Sequence, residues 1–221
     1  MTAAAFLAGQ TIRSVKRMDE YVTVKGLSER EVPADLAIWP VAFAVNAGDL
    51  AGLQKQIQDG RATVTRYLTE NGFEPGELSN APPQISDVTN KSDEAGAKTP
   101  PVTRWEADVT VLLRSTKVDK VKAALETSDR LVQQGIALKG SAYDNKPQFL
   151  FMGLNTVKPD MIQEANRNAR LAAERFAADA NSPVGAVRHA IQGPFEVNDV
   201  NSASPERKLV RVVTTVDFYL Q

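Results

Sequence analysis

No cysteine occurs anywhere in this chain. That absence removes disulfides, thiolate nucleophiles and cysteine-based metal sites together. It leaves the redox compartment open, because a cysteine-free chain suits either environment. Histidine is nearly absent too: His189 stands alone, so there is no second imidazole for a His-rich metal cluster. Charge of one sign is not in excess, with 26 Lys plus Arg against 27 Asp plus Glu. A near-neutral chain has no broad positive field to neutralise a phosphate backbone, and nucleic acid is not an expected partner. Neither a GxGxxG run nor a Gly-Lys-Ser/Thr phosphate loop is present, so Gly26, Gly185 and Gly193 read as turn, bulge or close-packing positions. Long apolar runs are also missing. The patch from Ala3 to Ala8 falls short of the roughly 20 residues of a membrane span, and Arg13, Lys16 and Arg17 follow it, whereas a secretory signal carries its positive charges first. Residues 1–20 read as a frayed helical leader or as the remnant of a membrane anchor.

What remains is ample for a core. The 221 residues are 43% hydrophobic and include two tryptophans, enough for one sizeable domain or two small ones. Tyr21 to Lys25 alternates as a strand, Gly26 to Pro33 reads as a break, and Ala34 to Val45 resumes as the second arm of a hairpin. On that arm Trp39, Val41, Phe43 and Val45 share one face, and Leu36, Ile38, Ala42 and Ala44 the other, so both faces call for cover. Pro40 cannot donate to a ladder and marks an edge or a bulge. From Asp49 the period becomes helical, with Leu50, Leu53, Ile57, Val64 and Leu68 on one stripe and Asn71-Gly72 as the stop.

Strand patterning returns weakly at Gln84 to Thr89 and strongly at Trp105 to Arg114, on either side of the polar excursion NKSDEAGAKTPP. A second helix is expected with Thr116 as its cap, Val118, Val121, Leu125 and Val132 as its stripe, and Gly135 as its end. Ile136 to Tyr143 and Gln148 to Leu154 read as another hairpin. Pro159 is placed at the start of an alanine-rich third helix. Val184 to Val197 and Leu209 to Leu220 complete the series. The order ββ-α-ββ-α-ββ-α-ββ predicts an α+β fold of antiparallel β-hairpins alternating with three helices, the helices packed on sheet.

Four stretches carry a family likeness: VTVKGLSEREVPADLAIWPVAFAV, FLFMGLNTVKPDMIQEANRNARLAAERFAADA, SPVGAVRHAIQGPFEV and VRVVTTVDFYL. Together they resemble the SIMPL-domain family of bacterial cell-envelope proteins, over roughly Tyr21 to Leu220, so that residues 21–221 form a SIMPL-like domain behind the leader. The family often has glycine where this chain has Asn181, and Pro-Asp where it has Pro33-Ala34-Asp35. The resemblance implies an exported or membrane-anchored, commonly oligomeric domain of the periplasm or cell envelope, linked in some members to envelope stress. It implies no catalytic residue, and an N-terminal membrane segment of which Ala3 to Ala8 is the remainder; no cofactor is expected.

Candidate sites are few. Arg104, Glu106 and Asp108 share a strand face, where two carboxylates serve acid and base roles only if their surroundings separate their pKa values; the plainer reading is a solvated sheet face. His189 reads as a surface or hydrogen-bonded histidine, or as a switch titrating near neutrality. Asp87, Asp93 and Glu94 lack the spacing of a calcium loop. Trp39 and Phe43 form either a candidate contact face for a second subunit or partner or part of a strand covered on both faces within one chain, and Trp39, Phe151 and Tyr219 the lining of a ligand cleft between helices and sheet. The expected function is a non-enzymatic envelope protein that self-associates as a homo-oligomer or binds an envelope protein partner. The alternatives are a small-ligand binding module and a carboxylate hydrolase at Glu106 and Asp108.

Overall fold

A computed structural model describes residues 20–88, 104–139 and 146–221. The expected N-terminal leader, the polar excursion with Asp93 and Glu94, and residues 140–145 of the expected second hairpin lie outside the described residues. The elements in chain order are β1 (Tyr21–Pro33), β2 (Leu36–Ala47), α1 (Leu50–Glu70), β3 (Leu78–Asn80), β4 (Gln84–Asp87), β5 (Trp105–Ser115), α2 (Val118–Glu126), α3 (Asp129–Gln133), β6 (Ala137–Leu138), β7 (Gln148–Leu150), α4 (Leu154–Asp179), β8 (Val184–Gln192), β9 (Glu196–Asp199) and β10 (Arg207–Leu220). The fold is α+β, with two antiparallel sheets and helices packed on strands. The chain divides into two compact units: Met1–Pro33 with Phe151–Gln221, and Ala34–Leu150 inserted between them in sequence.

The discontinuous unit is a sheet of order β1-β10-β8, with β9 also on β10, and α4 lies on one of its faces. β1 and β10 pair without a break from Tyr21↔Tyr219 to Pro33↔Arg207. The stretch from Gly26 to Pro33, expected as a break, is therefore strand. Its charges alternate with residues that turn toward α4: Leu27, Glu29 and Glu31 face outward, while Ser28 is buried and donates through Oγ to Glu164 Oε2 at 2.8 Å. Under α4, Val22, Val210, Val212, Val216 and Phe218 meet Met161, Ala165, Ala169 and Ala173. The alanine stripe brings helix backbone onto strand backbone at Gly26. A Cβ added there would overlap the carbonyl oxygen of Ala165 and lie 2.5 Å from Ala169 N.

Pro159 does not open α4, which begins five residues earlier at Leu154. The proline removes the bond its N–H would make to the Asn155 carbonyl, but Asn155 is exposed to water, and the extra turn packs Leu154 and Val157 beside Met161. Gly193 and Pro194 split the expected strand Val184 to Val197 into β8 and β9, with Gly193 N bonding Val213 O at 2.8 Å.

In the inserted unit β2 is central, between β5 on one side and the short β6 and β7 on the other, and β3 and β4 pair with the far side of β5. β1 and β2 are thus no hairpin; each pairs in a different sheet. Pro40 sits in the interval between β7, which pairs at Leu36 to Ile38, and β6, which pairs at Phe43 and Ala44. That is a place where a missing N–H costs little. Neither β6 nor β7 pairs with the other; both pair with β2. Phe73, Leu53, Val64 and Leu68 pack with the β2 and β5 side chains Trp39, Val41, Phe43, Val109, Val111 and Leu113. Gly60 of α1 admits the Phe43 ring, which an added Cβ would meet at 2.5 Å. Leu50, at the head of the expected stripe, is exposed, and Tyr67 is buried in its stead; its hydroxyl donates to Ala124 O and lies 3.0 Å from Thr127 Oγ.

The expected second helix breaks at Thr127 and Ser128 into α2 and α3. The break shifts the stripe by one position, so that Leu131 is 0% exposed and Val132 56%. Thr116 is not the cap; Ser115 Oγ instead accepts from Lys117 N at 3.0 Å.

Gly26→Ala is expected to cost about 3 kcal/mol in urea denaturation, because backbone on both sides has no room to yield. Gly48→Ala, whose added Cβ meets nothing within 4 Å, should stay within about 0.5 kcal/mol of the parent. Equal unfolding midpoints for the two variants would show that α4 does not rest on β1 at this point.

Candidate functional site

The residues singled out for a ligand cleft are shared between the two units. Trp39 belongs to the inserted unit; Phe151 and Tyr219 belong to the other. Within that unit Phe151 packs on the α4 side of the sheet with Met161 and Val210, whereas Tyr219 alternates with Phe218 and lies on the opposite face. Trp39 and Phe43, the expected contact face, are 2% and 0% exposed and belong to the core under α1. Neither offers its side chain to a partner while that core is intact.

The carboxylates of β5, Glu106 and Asp108, alternate with buried residues and share one face of the strand. Asp108 forms an ion pair with Lys139, while Glu106 stands opposite Asn46 and Ser86 in its ladder and Arg104 is exposed. His189 is exposed on β8 opposite Asp217, whose Oδ1 accepts from Thr23 Oγ at 2.7 Å. Among the described residues no group of three or more His, Asp and Glu side chains is arranged to hold a metal ion.

The densest polar cluster was not foreseen. A single 3-10 turn, Pro75–Glu77, carries a reciprocal cap in which Glu74 N donates to Glu77 Oε2 at 2.7 Å. Ser115 Oγ donates to Glu77 Oε1 at 2.6 Å, and Lys117 Nζ reaches Glu77 Oε2 at 2.9 Å and Glu74 Oε1 at 3.3 Å. Burial pushes the Glu77 carboxyl up, but the Glu74 N–H, the Ser115 hydroxyl and Lys117 outweigh it and hold it down at about 2. The Glu77 hydrogen bond, ahead of opposing burial, raises Lys117. A carboxylate so fully engaged is a weak base, and the cluster serves to pin β5 and the start of α2 to the turn after α1. The sequence signal available was the Glu-Pro-Gly-Glu spacing, which puts proline at the first position of a turn and glutamate at the third.

An open depression of about 410 Å³ lies at the C-terminal end of α4, lined by Glu174, Ala177, Ala178, Asn181, Ser182, Pro183 and Val184. Asn181 adopts φ 51, and Ser182 N bonds Ala177 O at 2.9 Å, so the helix ends through a left-handed residue. Asparagine tolerates that conformation better than other residues with a Cβ, which accounts for Asn181 in a place where glycine would also fit.

The feature with most unused capacity is the outer edge of β1. Leu220 N donates to Glu20 O, so even-numbered residues of this strand turn their backbone groups toward β10. Odd-numbered residues therefore turn theirs away, as the acceptance by Leu27 O of a hydrogen bond from Asn168 Nδ2 at 2.7 Å confirms. Tyr21, Thr23, Lys25, Glu29 and Glu31 thus carry outward backbone groups on a strand of 13 residues that no other described strand pairs on that side. The side chains of these residues and Leu27 line the sheet face opposite α4, where Glu29 meets Arg211 at 3.6 Å and Glu31 meets Arg207 at 2.7 Å.

An α+β unit inserted in sequence into a strand-and-helix unit defines a discontinuous α+β architecture. The SIMPL family model, described as a protein of unknown function (DUF541), matches residues 22–215, and the chain belongs to that family. The comparison with curated proteins finds no match.

Removing the Glu77 charge tests the polar cluster. An unfolded glutamate titrates near 4.5 and the folded one at about 2. Its contribution is therefore whole above 4.5 and is lost as the pH falls toward 2. Between these limits the parent should lose about 2 kcal/mol more stability than Glu77→Gln. Parallel stability profiles for the two proteins would show that the cluster contributes nothing.

Proposed function

We propose that this SIMPL domain is a non-enzymatic cell-envelope protein that acts as a self-associating scaffold or partner-binding domain, engaging its partner through a strand edge. The observation that carries this reading is the long outer edge of β1, whose backbone donors and acceptors lie ready for another strand. Natural sheets blunt such edges with charge, and Lys25, Glu29, Arg30 and Glu31 fit that habit. Those charges limit indiscriminate pairing and leave room for a partner with the matching pattern. The two aromatic side chains first expected at a contact are engaged in the core, so the contact moves from the apolar face of β2 to the edge of β1.

Light scattering across a concentration series is expected to give the mass of a defined oligomer, or of a monomer that assembles as concentration rises. A mass fixed at that of one chain throughout would overturn the self-association reading. Fractionation of cells producing the natural chain should recover it with the envelope; recovery in the cytoplasmic fraction would overturn that placement.

A further inference from the structure

We infer that the outer edge of β1 pairs with the same edge of a second copy, antiparallel about a two-fold axis at Leu27, joining two sheets into one. This rests on the self-association reading and names its partner and register. Residues with outward backbone groups are the odd ones, so an antiparallel pair can place only odd residues opposite odd residues as hydrogen-bonded partners.

Among those registers one satisfies three conditions together. Leu27 is the middle residue of Tyr21–Pro33, so an axis there overlaps the whole strand. It also places Lys25 opposite Glu29 of the second copy, and by symmetry Glu29 opposite Lys25, giving two cross-strand ion pairs on one face. Leu27, 38% exposed on that face, then meets its own copy at the axis. Moving the axis to Lys25 sets lysine against lysine, and moving it to Glu29 sets glutamate against glutamate. An axis midway between Lys25 and Leu27 leaves lysine opposite leucine; one midway between Leu27 and Glu29 sets Lys25 opposite Glu31 but puts leucine opposite glutamate and leaves Tyr21 and Val22 beyond the overlap.

The groups needed are available. The Lys25 side chain makes no ion pair or hydrogen bond in the described structure. Glu29 faces Arg211 through Oε1 at 3.6 Å, which leaves Oε2 for the incoming lysine. Leu27 O already accepts from Asn168 Nδ2, but a carbonyl oxygen has a second lone pair, and the Leu27 N–H is not engaged by β10.

The cysteine-free chain makes the test clean. Single variants Leu27→Cys and Lys25→Cys are oxidised and run on non-reducing gels. In the inferred register the two Cα atoms at position 27 lie about 5.5 Å apart, within disulfide reach, whereas the two at position 25 are offset by four residues along the strands, about 14 Å. Leu27→Cys should therefore give covalent dimer and Lys25→Cys should not. Lys25→Glu should weaken association about tenfold or more, and adding Glu29→Lys to it should restore association, because the pair is then complementary again. Both positions are at the surface, so folding is checked by an unchanged unfolding midpoint. A cross-link at position 25 in preference to 27, or an oligomer indifferent to Lys25→Glu, overturns the register while self-association stands. A strict monomer at all concentrations overturns both.

Discussion

The contact between Gly26 and the backbone of α4 is the constraint on which the discontinuous unit depends. Alanines at positions 165, 169 and 173 remove the side-chain layer that normally separates a helix from a sheet, and glycine removes it from the strand. The result is direct backbone contact, reinforced at its flank by Ser28 on Glu164 and by Asn168 on the Leu27 carbonyl. Such a contact tolerates almost no added volume, since interiors are packed at crystal-like density and backbone cannot rotate away as a side chain can. It also joins β1, near one end of the chain, to a helix more than a hundred residues later. The inserted unit must consequently leave and return at neighbouring points, and the bond from Asp35 N to Leu150 O, with the pairing of Leu36 and Leu150, provides that closure.

One strand therefore serves two ends. The inner residues of β1 are committed to α4 through Val22, Gly26 and Ser28, and this fixes the strand as a straight, fully paired partner of β10. Its outer edge has no partner strand among the described residues. A strand edge that is already ordered loses little conformational entropy when another strand is added, the general condition for strand addition. Several polar groups elsewhere are engaged structurally: Glu77 accepts from the Glu74 N–H, the Ser115 hydroxyl and Lys117, Asp108 is paired with Lys139, and the Tyr67 hydroxyl, whose pKa burial raises, ties α1 to α2.

Local patterning was legible wherever burial follows period. The alternation of Ala107, Val109, Val111 and Leu113 and the stripe of Leu53, Ile57, Val64 and Leu68 are buried as their spacing predicts. The alanine stripe of α4 was likewise readable as a surface for close approach. Pairing was not legible. β1 and β2 are consecutive strands separated by a short charged stretch, the usual mark of a hairpin, yet they enter separate sheets because their hydrogen-bond partners, β10 and β5, lie far along the chain. The candidate site suffered from the same limit: a tryptophan and a phenylalanine on a doubly apolar strand look available for a partner until α1 is seen to cover them.

By itself the sequence determined the α+β class, the faces of the main helices and strands, and the family, because each is written in residue types at local spacing. Only the tertiary structure decided that Gly26 to Pro33 is strand, that α4 gains a turn ahead of Pro159, and that the open edge belongs to β1. The physical reason is that backbone hydrogen-bonding groups are the same in every residue but proline. A strand's pattern states which face it buries, and the choice of neighbour follows from contacts made across the whole chain.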